Sequence, residues 1–197
     1  MEGRDSRPPS TIWCGMLRSG LLLVLIATLA LSLGAGASAS TSADRTLSTS
    51  TTLTRATSLE ELVLREINTL RAAHGRQPLS ASVALSRAAD RHSRSMALLG
   101  FFAHESRNGT PFWQRVKQYY FANSRTWTVG ENLAMFGGIT PDAQSIVTAW
   151  MASPGHRANL LRASYRDAGI AIVHHPTAGG VFGGRSTWVV TLDFGRR

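Results

Sequence analysis

The period at which apolar residues recur changes along the chain, and this change limits the folds open to it. From residue 59 to about residue 160 the spacing is helical. The predicted helices begin near Leu59, Ser82, Pro111, Pro141 and Pro154. Two later segments, 168–173 and 187–194, are apolar and β-branched, and the glycine-rich loop between them predicts an antiparallel hairpin. Helices first and strands late predict an α+β domain with helices packed on an antiparallel sheet.

Helix ends carry recognisable signals. Ser58 and Glu61 have the spacing of a capping box, which predicts the start of the first helix. Gly100 is expected to end the second helix, and Ser153 to cap the short helix that starts at Pro154.

The N-terminal part has the layout of an export signal. Arg18 precedes an apolar run over residues 20–33, and small residues follow with an Ala-x-Ala pattern near Ala37. Residues 1–39 are therefore predicted to be a signal peptide, with Met16 as a possible true start. The alternative is an uncleaved membrane anchor, although the run is shorter than the roughly 20 residues of a typical span.

Residues 40–57 are rich in serine and threonine and are predicted to be a disordered linker, and residues 58–197 form the predicted folded domain. The chain has one cysteine, Cys14, upstream of that domain. No intramolecular disulfide can form, so an exported domain must rely on its core, and zinc sites built on thiolates are excluded.

The net charge is +9 and comes almost wholly from arginine, since Lys117 is the only lysine. A basic surface can attract nucleic acid, anionic lipid or an acidic wall polymer. The arginines are scattered, without a run or a stripe with aromatic neighbours, which favours compositional bias. We therefore expect no nucleic-acid partner, while affinity for an anionic envelope polymer stays open.

Three residues sit in unusual local settings. His104 follows a helix stop, Glu131 lies in a Gly-Glu-Asn segment, and His156 stands near the start of a short helix. Two imidazoles and a carboxylate suit a divalent metal such as Zn²⁺, with water at the open positions. The same trio could pair a general base with an orienting acid. Each residue also has an ordinary structural explanation, as a turn histidine or as an acid that binds backbone amides.

The other histidines favour structural roles. His92 shares the apolar face of the second helix and is interpreted as a hydrogen-bonded core residue, and the His174-His175 pair as a solvated turn after a strand. Ser153 could be imagined in a hydrolase triad, but nothing resembles a nucleophile elbow.

Four motifs in one order carry a family resemblance. They are Phe102–Ser106 (FAHES), Gly130–Ala134 (GENLA), Trp150–Leu161 (WMASPGHRANLL) and Trp188–Phe194 (WVVTLDF). In sequence and spacing the domain resembles the CAP superfamily, the SCP-like extracellular proteins, in its bacterial, cysteine-free branch. The resemblance covers the chain from about Leu59 to Gly195.

The resemblance implies a three-layer α-β-α sandwich and a cleft lined by two histidines and two acids. By motif these positions fall on His104, Glu131 and His156, with Ser153 where many members carry the second acid and Asn132 also lining the cleft. Because one anionic ligand is missing, any divalent cation should bind weakly, and no cofactor is required.

CAP proteins differ widely in their proposed activities, so the resemblance leaves function open. The favoured interpretation is a secreted or envelope-located, non-enzymatic, monomeric module whose partner is a lipid, an envelope polymer or a protein. Contact with a membrane is expected only through an uncleaved signal segment. The alternative is an extracellular hydrolase, either metal-assisted or Ser/His-dependent, that uses His104, Glu131 and His156.

Overall fold

The computed structural model describes residues 59–122 and 127–197. The predicted signal peptide with Met16 and Cys14, the linker 40–57 and the capping residue Ser58 lie outside the described residues. Within the described ranges, no helix has both the length and the apolar character needed to cross a membrane.

Five α-helices are present in the described part of the chain. They are α1 (59–73), α2 (Val83–Leu99), α3 (Phe112–Lys117), α4 (Ala143–Ala152) and α5 (Pro154–Leu160). The expected stop of α2 is confirmed, because Gly100 adopts the left-handed conformation at φ 67°. Helix α4 begins slightly later than Pro141, since the Asp142 side chain accepts a hydrogen bond from Ser145 N at 2.6 Å. Ser153 stands at the N-cap of α5, but its side chain makes no capping hydrogen bond.

One sheet of four strands lies between the helices. Its strands are β1 (Ser80–Ala81), β2 (Thr128–Gly137), β3 (Asp167–Ala178) and β4 (Arg185–Arg196), in the order β1-β3-β4-β2. The long strands pair antiparallel, as expected, whereas the two-residue β1 pairs parallel with β3. The prediction of a purely antiparallel sheet is therefore wrong at this edge, where Ser80 N and Ser82 N donate to Arg166 O and Ala168 O.

The predicted hairpin is confirmed and is longer than expected. β3 and β4 pair from Asp167 with Gly195 to Ala178 with Arg185. The turn predicted at His174 and His175 is wrong, because both lie inside β3, whereas His174 is exposed to solvent as expected. His174 stacks on the Trp188 ring at 4.4 Å between centroids, which continues the cross-strand pairing.

Helices cover both faces of the sheet. Successive side chains of β4 point to opposite faces. Val190, Leu192 and Phe194 join a core that includes Ile67 of α1 and Trp150 of α4. Val189 joins a second core with Met96 of α2. The arrangement is the expected α-β-α sandwich.

Helix α2 packs very closely on β3. A methyl group at Gly169 would lie 2.1 Å from the backbone nitrogen of Ser86, so only glycine fits there. This close approach fixes the position of α2 and of the loop that follows it, which carries His104.

Candidate functional site

The candidate site is built around strand β2. This strand lies at the edge of the sheet, and its two faces pack against different helices. Leu133 packs with Met96 of α2. Ala134 packs in the other core, with Trp150 of α4. By the alternation of a strand, Glu131 shares the face of Leu133, and Asn132 shares the face of Ala134. The Glu-Asn pair therefore sends one polar side chain to each side of the sheet.

On the α2 side, Glu131 holds His104. The imidazole Nδ1 lies 2.8 Å from Oε1 of Glu131, whose side chain is fully buried, while the His104 side chain is 45% exposed. The Phe112 ring packs edge-on against the imidazole, with 6.4 Å between centroids. A histidine held at Nδ1 by a carboxylate keeps its Nε2 for a ligand or a proton.

Arg115 of α3 holds the other side of the same carboxylate. Its Nη2 donates to Oε2 of Glu131, and its Nη1 donates to His104 O at 3.0 Å and to Ser106 Oγ at 3.2 Å. The arginine is 5% exposed. One guanidinium thus fixes both the carboxylate and the backbone of the histidine that the carboxylate orients.

A second acid, Asp193 of β4, lies directly opposite Glu131 in the sheet. It is completely buried, and neither of its carboxyl oxygens has a hydrogen-bond donor among the described residues. Burial, and secondly the nearby Glu131 carboxylate, raise the pKa of Asp193 well above its usual range, although Arg115 opposes this. Both causes favour the protonated form of Asp193 in the folded protein.

On the other side of β2, side chains from α4 and α5 bind the edge of the strand. Asn159 Nδ2 donates to Glu131 O at 3.2 Å and to Asn132 Oδ1 at 2.9 Å, and Asn132 Nδ2 donates to His156 O at 3.1 Å. Trp150 Nε1 donates to Leu133 O at 3.0 Å. These bonds satisfy carbonyls that an edge strand would otherwise leave exposed, and they anchor the start of α5.

His156 stands at this anchored start of α5 and is half-buried. Burial, and secondly the positive form of His104, lower the pKa of His156 below its ordinary value. That the two imidazoles share one cleft stays a prediction. Ser153 lies at the N-cap of α5, and its side chain makes no hydrogen bond with His104, Glu131 or His156 in the described structure.

Of the three predicted metal ligands, His104 and Glu131 are in contact, but they do not form a set of free metal donors. Both oxygens of Glu131 are already engaged, by His104 and by Arg115. Over residues 59–122 and 127–197, no group of three His, Cys, Asp or Glu side chains is arranged to hold a metal ion. Glu131 is therefore not available as a ligand of a three-ligand metal centre. The imidazoles of His104 and His156 are the remaining donors for a cation. The metal role of the trio stays a prediction.

His92 is a core residue, as its position on α2 predicted. It is 1% exposed, and its Nε2 lies 2.9 Å from Ala103 O. Burial lowers its pKa to about 4. The bond to Ala103 helps to hold the loop that presents His104, so His92 supports the site without lining it.

Arg115, Asp193 and Asn159 were missed as site residues from the sequence, although two of them left a signal. Arg115 falls on the apolar face of its helix, between Phe112 and Val116 in a helical repeat. Asp193 is the lone charge in the apolar run that ends at Phe194. Charged residues are seldom fully buried unless they are paired, so a charged residue at a core position predicts a buried partner. Asn159 carried no comparable signal.

The layered fold, with His104 bonded to Glu131 of an edge strand, is that of an SCP-like domain. Residues 64–194 match the family described as the cysteine-rich secretory protein family, CAP. The match covers more than half of the chain, and the chain therefore belongs to the CAP family. A bacterial relative, the uncharacterized protein YkwD of Bacillus subtilis, is 33% identical over 118 residues, which are 59% of this chain and 43% of that protein. The chain thus spans less than half the length of this relative.

Solved structures with the same fold come from other bacteria. An extracellular protein of Bacillus anthracis that contains an SCP domain superposes with a TM-score of 0.56 at 22% identity, over 72% of this chain and 41% of that one. An outer surface protein of Borrelia burgdorferi gives 0.52 at 19% identity, over 70% and 91%. A cysteine-rich secretory protein of Staphylococcus aureus gives 0.50 at 17% identity, over 71% and 38%. At these identities the likeness establishes the fold alone.

Proposed function

We propose that this protein is an exported, non-enzymatic CAP module that binds a ligand at the cleft between His104 and His156. The observation that carries the proposal is the contact between His104 Nδ1 and the buried Glu131 carboxylate, which leaves Nε2 for an incoming group. A partly exposed imidazole fixed by two buried side chains is a pre-organised hydrogen-bonding group.

Export is supported by the predicted signal peptide and by relatives described as extracellular or outer surface proteins. In that setting the ligand class is a lipid, an envelope polymer or a protein, bound by a monomer. The scattered arginines give no argument for nucleic acid, and the net charge of +9 is compatible with an anionic envelope polymer.

The cleft also has the donors for weak binding of Zn²⁺ or another divalent cation. Its ligands are the His104 and His156 imidazoles, with water at the remaining positions and Glu131 in an orienting role. Two neutral nitrogens bind zinc less tightly than the three or four ligands of established sites. The cation is therefore an accessory, and the proposed binding function does not depend on it.

Hydrolysis is less well supported. A hydrolase needs a nucleophile within hydrogen-bond reach of its base, and Ser153 makes no bond to either histidine in the described residues. Glu131 is engaged on both oxygens and cannot activate water while Arg115 holds it.

The metal part is tested by thermal unfolding with and without ZnCl₂. A ligand present at about a hundred times its dissociation constant stabilises the native state by roughly 2.7 kcal/mol. We expect a zinc-dependent rise in Tm for the wild type that His104→Ala and His156→Ala each abolish. His74→Ala, at an exposed histidine outside the cleft, is the matched control and should keep it. An equal rise in all four proteins would contradict the assigned ligands.

The non-enzymatic part is tested on a panel of ester and peptide substrates. We expect no turnover above a heat-denatured sample. Turnover that disappears in Glu131→Gln and in His104→Ala would overturn the binding interpretation in favour of the hydrolase.

A further inference from the structure

The edge of β3 that faces β1 is paired over only part of its length. β1 has two residues, which pair with Asp167 and Ala168, whereas β3 continues to Ala178. Within the described ranges, no strand pairs with this edge of β3 beyond Ala168. The sheet order β1-β3-β4-β2 puts it on the side of the sheet opposite to β2, which carries Glu131. It is therefore an open edge away from the candidate site.

The unpaired part of this edge offers main-chain groups in a regular alternation. Ala168 O accepts a hydrogen bond on the β1 side, and the main-chain groups of successive residues in a strand point to opposite edges. Ile170, Ile172 and His174 therefore turn their N–H and C=O groups away from β4. Pro176, the next residue in this series, has no N–H, which ends the row of donors.

Glu60 of α1 supplies at this edge the acceptor that a neighbouring strand would supply. Its Oε1 accepts a hydrogen bond from Ile172 N at 3.3 Å, which is long for a bond of this kind. Burial is the largest cause that raises the pKa of Glu60 above its ordinary value, because a carboxylate that leaves water loses hydration. A peptide carbonyl can replace this acceptor, and release of Glu60 to solvent restores its hydration.

A groove of about 590 Å³ lies beside the edge and is lined from both α1 and α2. Ile170 and Ala171 of β3 line it, together with Glu60 of α1. Helix α2 contributes charges of both signs, among them Arg87 and Asp90. Main-chain donors and acceptors next to charges of both signs suit a peptide better than an apolar lipid or a uniformly anionic polymer.

We propose that this edge of β3 is a docking site for an extended peptide segment of a partner protein, which pairs with Ile170, Ile172 and His174 as an added strand and displaces Glu60 from Ile172 N. In such pairing, main-chain hydrogen bonds supply the affinity, and the groove beside the strand selects side chains. Glu60 covers the edge when the partner is absent, as charged side chains commonly do at open edges. The site is separate from the cleft of the proposed function and does not depend on it.

The test is hydrogen exchange followed by NMR, with a hexapeptide of alternating threonine and valine, blocked at both ends, as the probe. Exchange of the Ile170, Ile172 and His174 amides should slow as the peptide is added. The Gly169 and Ala171 amides, which point to β4, should exchange as before. No change at any of these amides up to the solubility limit of the peptide, in the wild type and in Glu60→Ala, would overturn the proposal.

Glu60→Ala removes the competing acceptor and should tighten the Kd of the peptide about fivefold, the effect of one hydrogen bond that no longer has to be displaced. Glu61→Ala, at an exposed acid in the same helical turn, is the matched control and should bind as the wild type does. Equal affinities in the two variants would contradict the displacement of Glu60.

N-methylated forms of the same peptide separate main-chain pairing from side-chain contact. A form that is methylated on alternate amides keeps one free edge and should still bind, whereas a form that is methylated on every amide should not. Equal binding of both forms would exclude an added strand.

Two further outcomes would assign the peptide or the edge elsewhere. His104→Ala should bind the peptide as the wild type does, because His104 does not line the groove. Loss of peptide binding in this variant would place the peptide at the cleft and overturn the proposed edge site. Slower exchange at Ile170 and Ile172 with rising protein concentration, without peptide, would assign the edge to a second copy of this chain.

Discussion

Glu131 of β2 and Asp193 of β4 face each other directly across the sheet, and both carboxyl groups are buried. Arg115 donates to Glu131, whereas neither oxygen of Asp193 has a donor among the described residues. Two ionised carboxylates with one guanidinium would leave an uncompensated buried charge. Protonation of Asp193 removes that charge, and both burial and the Glu131 carboxylate shift the pKa of Asp193 in the direction that favours the protonated form.

The first prediction concerns Asp193→Asn. The raised pKa of Asp193 means that the folded state retains a proton that the unfolded chain releases near pH 4. The free energy of unfolding contributed by this group is thus fully present below about pH 4 and declines as pH rises towards the folded pKa. Asparagine has nearly the same shape, is neutral and does not titrate, so unfolding in urea at pH 7 should give at least the wild-type stability and a flatter pH dependence.

Asp193→Ala is the comparison for that measurement. Truncation to alanine opens a small cavity beside the Glu131 carboxylate, which should cost about 1–3 kcal/mol. If Asp193→Asn lowers the free energy of unfolding as much as Asp193→Ala does, a protonated Asp193 in the folded state is contradicted.

The second prediction concerns Arg115→Met and the global stability. Removal of the guanidinium leaves a buried carboxylate without its cation, which should lower the free energy of unfolding by about 3–5 kcal/mol. Arg94→Met breaks an exposed pair with Asp90 and should cost less than about 1 kcal/mol. Similar losses in the two variants, measured by chemical denaturation, would show that Arg115 carries no special charge role.

The layered fold could be predicted from the sequence because local signals and long-range packing agree over most of it. Helix α2 has a regular apolar face that ends at Gly100, and the hairpin segments are apolar and β-branched. Strand β2 was not predicted, since Gly130, Glu131 and Asn132 have low strand propensity and interrupt the alternation. Pairing with β4 over ten residue pairs overrides this local preference.

Of the predicted site residues, the structure brings His104 and Glu131 into contact. Motifs indicated His104, Glu131 and His156, but spacing along the chain says nothing about which atoms of Glu131 are free. The guanidinium of Arg115 comes from a short helix between His104 and β2, and Asp193 comes from a strand at the end of the domain. Their contact with Glu131 depends on sheet register, which only the tertiary structure specifies.

The third prediction is a loss of stability in mild acid through His92. Burial lowers the pKa of His92 to about 4, so the unfolded chain takes up a proton at higher pH than the folded one. Its contribution is fully present above about pH 6.5 and is lost as pH falls towards 4, by about 3 kcal/mol in all. The glutamine side chain of His92→Gln can still donate a hydrogen bond but does not titrate. The free energy of unfolding of this variant, relative to that of the wild type, should therefore rise as the pH falls from 7.5 to 4.5.

His74→Gln is the control for this titration because His74 is exposed. Its stability should follow the wild type over the same pH range. A His92→Gln profile parallel to that of the wild type would place the acid sensitivity in other groups, such as the buried carboxylates.

The most direct test of the account is the position of the proton on His104, read from ¹⁵N–¹H NMR of the imidazole. The contact with Glu131 Oε1 predicts that the neutral imidazole carries its proton on Nδ1 and leaves Nε2 without one. Glu131→Gln should relax this preference, while Glu66→Gln, on α1, should leave it unchanged. A wild-type His104 protonated on Nε2 with a bare Nδ1 would contradict the carboxylate-oriented cleft on which the proposed function depends.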